Sequence, residues 1–123
     1  MLIVSIAVLL LNAAGSSAQE NSTLPPAARL PANYRQLMAE YVRTHNPYVV
    51  HSAMISKPFE KYGGILRGGT YAVVCVEIVR DNVLGIPVRD DFILTYEHGR
   101  VTELLQGLSP CSNLSPFTEL KER

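Results

Sequence analysis

Cys75 and Cys111 are the only cysteines of the chain, and their surroundings decide what chemistry they can do. Cys75 lies in the apolar run VVCVEIV, where burial would disfavour a thiolate, and Cys111 follows Pro110 in a polar tail. A redox-active pair would show Cys-x-x-Cys, which is absent, and a catalytic thiol would need a histidine close by. In an oxidising compartment the two read instead as one disulfide, Cys75–Cys111. Closing the intervening loop would stabilise the fold by roughly 3–4 kcal/mol in the chain-entropy picture.

The histidines are His45, His51 and His98, and no two of them have the spacing of a zinc-binding helix. No metal site is expected. Glu77, Asp90 and Asp91 are the carboxylates placed for acid–base work, but neighbours on a strand point to opposite faces, so Asp90 and Asp91 do not form a natural dyad. Arg80-Asp81 and Arg89-Asp90 bracket one turn and read as salt-bridged turn ends. No catalytic set is therefore assigned. His51, Glu77 and Asp91 are the candidates to line a ligand pocket if the fold gathers them. No cofactor is expected either: there is no Gly-x-Ser-x-Gly and no Rossmann glycine pattern, and the glycine pairs of FEKYGGILRGG lack the Gly-Lys-Ser/Thr ending of a phosphate loop.

At 123 residues the chain has room for one domain. Eleven basic residues balance eleven acidic ones with no basic run, which argues against nucleic acid and against a polybasic membrane patch. The apolar stretch Met1–Leu11, followed by the small-residue segment with Ser16 and Ala18, reads as a signal peptide over residues 1–18. It is shorter than the ~20 apolar residues a spanning helix needs, so no stable membrane anchor is expected after cleavage. Residues 19–31, with three prolines, read as a linker, and residues 32–123 as a single α+β domain.

The elements that must position these side chains follow from periodicity. Asn33 is placed to cap a helix to about Thr44, with Gln36 at the reciprocal capping position and Tyr34, Leu37, Met38, Tyr41 and Val42 on one apolar stripe. Asn46-Pro47 stops it. Tyr48 to Ser56 is a strand candidate, and the glycine-rich segment after Pro58 a flexible connection. From Thr70 to about Gln106 three antiparallel strands follow, the first with Tyr71, Val73, Cys75 and Glu77 on one face and Ala72, Val74, Val76 and Ile78 on the other. His98-Gly99 is a two-residue hairpin loop. Ser115-Pro116 is read as the start of a short C-terminal helix. The sum is an α+β fold: one amphipathic helix packed on an antiparallel sheet of three or four strands.

The succession Pro-Tyr at 47–48, Ile-Ser-x-Pro at 55–58, Val-Cys-Val at 74–76 and Asn-x-x-Gly at 82–85 resembles that of small exported proteins of alphaproteobacteria. The resemblance implies a periplasmic or secreted location and a fold ending in a hairpin, and it brings no active-site residues. The expected function is non-catalytic binding of another protein or a small ligand. The alternative is a small hydrolase-like enzyme with a carboxylate/histidine site assembled by folding. Export makes one direct prediction: the mature chain begins at Gln19, and intact-mass measurement of exported protein will show loss of residues 1–18.

Overall fold

The computed structural model describes residues 24–105 and 111–121, so the expected signal peptide and the Gly107–Pro110 turn lie outside the described residues. The elements are α1 (Pro26–Arg29), α2 (Tyr34–His45), β1 (Val50–Ser56), β2 (Phe59–Tyr62), α3 (Gly64–Arg67), β3 (Thr70–Asp81), β4 (Pro87–Glu97), β5 (Arg100–Leu104), β6 (Leu114–Pro116) and α4 (Thr118–Lys121). The strands form one antiparallel sheet of order β5-β4-β3-β1-β6, with β2 also paired to β3.

The mixture of helix and antiparallel strand is as expected, but the architecture of one helix on three or four strands is corrected to a six-stranded sheet with several short helices. The two extra strands are β2 and β6, of four and three residues. Neither buries enough to show a two-residue apolar period: Phe59, Glu60 and Tyr62 are exposed, as are Ser115 and Pro116. The segment taken for a flexible connection thus contains a strand and a helical turn. Ser115-Pro116 sits in a strand paired with Met54 and Ile55, and the last helix starts at Thr118. In the described part of the expected linker, Leu30 is buried in the main core.

β3 is the longest strand and is buried on both faces through its middle, which its near-continuous apolar sequence requires. One face, Ala72, Val74, Val76 and Ile78, packs with Ile55, Leu94 and Phe117 under α2. Met38, Ala39 and Val42 are the buried residues of α2, and Leu37 is only half-buried, so the stripe is rotated from the expected one. Asn33 does not cap with its side chain. Its carbonyl accepts from the amides of Gln36 and Leu37 instead. The other face carries a smaller core of Val73, Cys75, Ile93 and Leu104. There the disulfide ties Cys75 to Cys111, with a Cα separation of 5.7 Å.

One edge of β3 is shared by two strands. Ile55 faces Val76 and Phe59 faces Val73, so Ser56, Lys57 and Pro58 lie opposite only Val74 and Cys75. Pro58 has no amide hydrogen to give, and the extra residue breaks the ladder. The buried Ser56 hydroxyl fills the break: it accepts from the Cys75 amide at 2.8 Å and donates to the Lys57 carbonyl at 3.0 Å. A buried amide without a partner costs about 1–3 kcal/mol. Ser56→Ala is accordingly expected to lower unfolding free energy by that amount, about 1–3 kcal/mol in urea denaturation with the disulfide intact. Ser52→Ala, at an exposed position of the same strand, is expected to change it by less than about 0.5 kcal/mol.

Candidate functional site

The pocket candidates are not gathered at one point. Glu77 and Asp91 are direct cross-strand partners on the face that carries the disulfide. Like charges directly opposite repel, and Arg89, two residues along the same face, reaches Glu77 Oε2 and Asp91 Oδ1 at 3.8 Å each. His51 is elsewhere. The register of β1 slips between Val50 and Ser52, making His51 the extra residue of a bulge, which turns its ring to Asp81 Oδ1 at 2.8 Å. Asp81 is four residues along β3 from Glu77, about 13 Å at the usual rise. Of the turn-end pairs, Arg80 holds Asp90 at 2.5 Å, while Asp81 is taken by His51. His45 caps its own helix, Nδ1 lying 2.9 Å from the Tyr41 carbonyl, and His98 is the first residue of a tight turn, with φ 54°. Among the described residues no cluster of three His, Cys, Asp or Glu side chains is placed to hold a metal.

A different site emerges where α2 ends. Asn46-Pro47 halts the helix and sends the chain into β1, and α4 returns from the far end of the sequence to lie beside the same corner. Between them is a recess of about 350 Å³ lined by Arg43, Asn46, Tyr48, Val50, Leu120 and Lys121. Its polar groups are unevenly satisfied. Asn46 is 7% exposed, and its Nδ2 donates to the Tyr48 carbonyl at 3.1 Å. That bond fixes the orientation of the amide and leaves Oδ1 buried with no partner among the described residues. Arg43 donates from Nη2 to the Glu119 carbonyl at 2.5 Å, and its buried Nε has no hydrogen-bond partner among the described residues. Lys121 Nζ donates to the His51 carbonyl at 3.1 Å. The recess is thus lined by two cationic side chains, Arg43 and Lys121, and by the apolar side chains of Val50 and Leu120, with Asn46 also in its lining. A second hollow of about 300 Å³ adjoins it across Asn46 and Tyr48, and there the Arg80 guanidinium lies 4.7 Å from the centre of the Tyr48 ring.

The short α4 cannot hold itself in place, since four residues make a single turn. Leu120 is buried, the Phe117 amide donates to the Ala53 carbonyl at 2.9 Å, and Phe117 is fully buried. The clamp is ionic: Arg35 grips Glu119 through Nε at 2.7 Å and Nη2 at 2.8 Å, a bidentate pair with its guanidinium over the Phe117 ring. Arg35 is outside the apolar stripe of α2, yet it anchors the wall of the recess. Nothing in the local sequence shows an arginine at 35 and a glutamate at 119 to be partners. Asn46 likewise reads from sequence only as the residue before a proline, because an unfilled hydrogen bond is a property of packing.

Compared with protein-family models, with curated proteins and with solved structures, the chain matches none of them.

The guanidinium of Arg35 holds the Glu119 carboxyl at about 2, against an ordinary 4.5. A depressed carboxylate contributes stability that is complete above its unfolded value and is lost as pH falls through the folded one. Glu119→Gln should therefore be less stable than the parent by about 1–2 kcal/mol at neutral pH, and the difference should shrink between pH 4.5 and pH 2 in paired denaturation curves.

Proposed function

We propose that this is an exported, non-catalytic binding protein that takes a small ligand into the recess at the end of α2. The single observation that carries the reading is Asn46, whose buried Oδ1 has no partner among the described residues, in a recess lined also by Arg43 and Lys121. Native proteins leave few buried polar atoms unfilled, and two of those found here belong to residues that line this recess, which supports a ligand there as the source of the missing bonds. The chemistry required of that ligand follows. It must present an acceptor, best an anion, to Arg43 and Lys121, and an N–H or O–H donor to Asn46 Oδ1. A small carboxylate carrying an amine, amide or hydroxyl meets both demands, with its apolar part against Val50 and Leu120.

A hydrolytic reading would draw on His51, Glu77 and Asp91, and these are engaged in separate pairings with Asp81 and Arg89. Export is supported by the apolar leader with Ser16 and Ala18, by the motif succession ending at Gly85, and by the Cys75–Cys111 bridge, which needs an oxidising compartment to persist. Among the described residues no helix is long and apolar enough to cross a membrane.

The test is a nitrogen-15 NMR titration of the intact protein with L-alanine, L-lactate and, as a control lacking the donor, propionate. Alanine or lactate is expected to move the Asn46 side-chain amide and the Arg43 Nε–H, with propionate at least about tenfold weaker, the worth of one lost bond to a buried polar group. Asn46→Leu should abolish binding while changing the stability of the unliganded protein by no more than about 1 kcal/mol, because it removes the unsatisfied Oδ1 together with one hydrogen bond to the Tyr48 carbonyl. A titration in which neither probe moves these signals at millimolar concentrations would end this reading of the recess.

A further inference from the structure

The recess and the hollow that adjoins it carry opposite charge. Among the described residues the recess is lined by two cations, Arg43 and Lys121, and by no carboxylate. The hollow is lined by three carboxylates, Asp90, Asp91 and Glu103, with Arg80 and His45. Pairing within the fold does not remove the excess. Arg80 holds Asp90, and Arg89 reaches Asp91, which leaves Glu103. Its partner is a neutral group, the Tyr41 hydroxyl at 3.1 Å, and its carboxylate stays exposed.

The two spaces open on one face of the sheet. Val50 of the recess and Arg80 of the hollow are direct cross-strand partners, and Val50 and Phe92 both pack against the main core. In the order β4-β3-β1, the backbones that carry Asp90 and Val50 are two strand spacings apart, about 10 Å. Asn46, Pro47 and Tyr48 belong to both linings. Asn46 is the buried residue whose Oδ1 has no partner among the described residues, so an unfilled acceptor is common to the cationic and the acidic side.

Resting on the reading of the recess given above, we propose that the ligand is a diamino carboxylate of the lysine or ornithine kind. Its carboxylate lies at Arg43 and Lys121, its α-amino group donates to Asn46 Oδ1, and its terminal ammonium enters the hollow beside Glu103. A flexible three- or four-carbon stem, together with the side chains that reach for its two ends, covers the distance. Phe92 gives the hollow an aromatic wall of the kind that attracts an ammonium. A ligand ending in a second carboxylate would meet the acidic side with the wrong sign, and one ending in a methyl would gain nothing from Glu103.

The test compares L-lysine with L-norleucine, which keeps the amino-acid head and the carbon arm and lacks the terminal ammonium. Both are titrated by nitrogen-15 NMR into the intact, disulfide-bonded protein and into its Glu103→Gln variant, whose fold is checked by circular dichroism. Lysine is expected to bind the parent at least about tenfold more tightly, the worth of one bond to a charged group, and to move the backbone signals of Phe92 and Glu103 where norleucine does not. In Glu103→Gln the two affinities should come together. Equal binding of lysine and norleucine by the parent would overturn the proposal and leave the recess reading standing, since both carry the head group that the recess takes. A lysine preference that persists in Glu103→Gln would also overturn it, because the ammonium would then be held elsewhere. Binding of neither, with alanine and lactate equally silent, would end both readings together.

Discussion

The amide of Cys75 is buried at the centre of the sheet, and the rest of the fold depends on where its hydrogen bond goes. A strand neighbour cannot supply the acceptor, because the edge of β3 passes at this point from β1 to β2 across Lys57-Pro58. The Ser56 hydroxyl supplies it instead. With that bond in place β3 keeps partners along both edges, one face can be filled from α2 and the other from the disulfide, and the chain gains a bend that ordinary pairing would forbid. The bridge to Cys111 then fixes the same residue from its side-chain end, so backbone and side chain of Cys75 are both committed.

The parts legible in the sequence are those whose burial is long and periodic. The alternation in residues 70–81, the apolar run of β4 and the His98-Gly99 turn, with φ 54° and 79°, all follow from rules that act within a dozen residues. The disulfide was legible for another reason, the count of cysteines together with an apolar N-terminal run that reads as a leader. What stayed hidden depends on distance. β2 and β6 are short and exposed and exist as strands only because β3 and β1 offer them an edge. Met38 and Ala39 displace Leu37 from the centre of the stripe because the helix faces a sheet whose position its own period does not encode.

The same distinction separates the candidate residues. His51, Glu77 and Asp91 drew attention by type, and the fold gives each a neutralising neighbour: an aspartate for the bulged histidine, and Arg89 for two carboxylates that share a face. Arg43, Asn46 and Lys121 carried no signal in the sequence. They matter because α4, clamped by Arg35 and Glu119, arrives beside the end of α2 and leaves polar atoms between the two incompletely matched. A constellation assembled across some eighty positions of chain is invisible to any reading of local pattern.

The return of residues 114–120 to β1 also governs the order in which the molecule can form. Phe117 and Leu120 plug the main core, and Ser115 meets Ile55 across a sequence separation of 60. Contacts of that span incur their loop-closure entropy before they contribute any burial, which places them late and makes assembly slow. Until that stretch has been synthesised, the nascent chain holds a sheet with its largest core side chain missing, an open intermediate and not a finished globule. If the chain is exported unfolded, as proposed above, a core closed by distant residues delays premature collapse on the near side of the membrane.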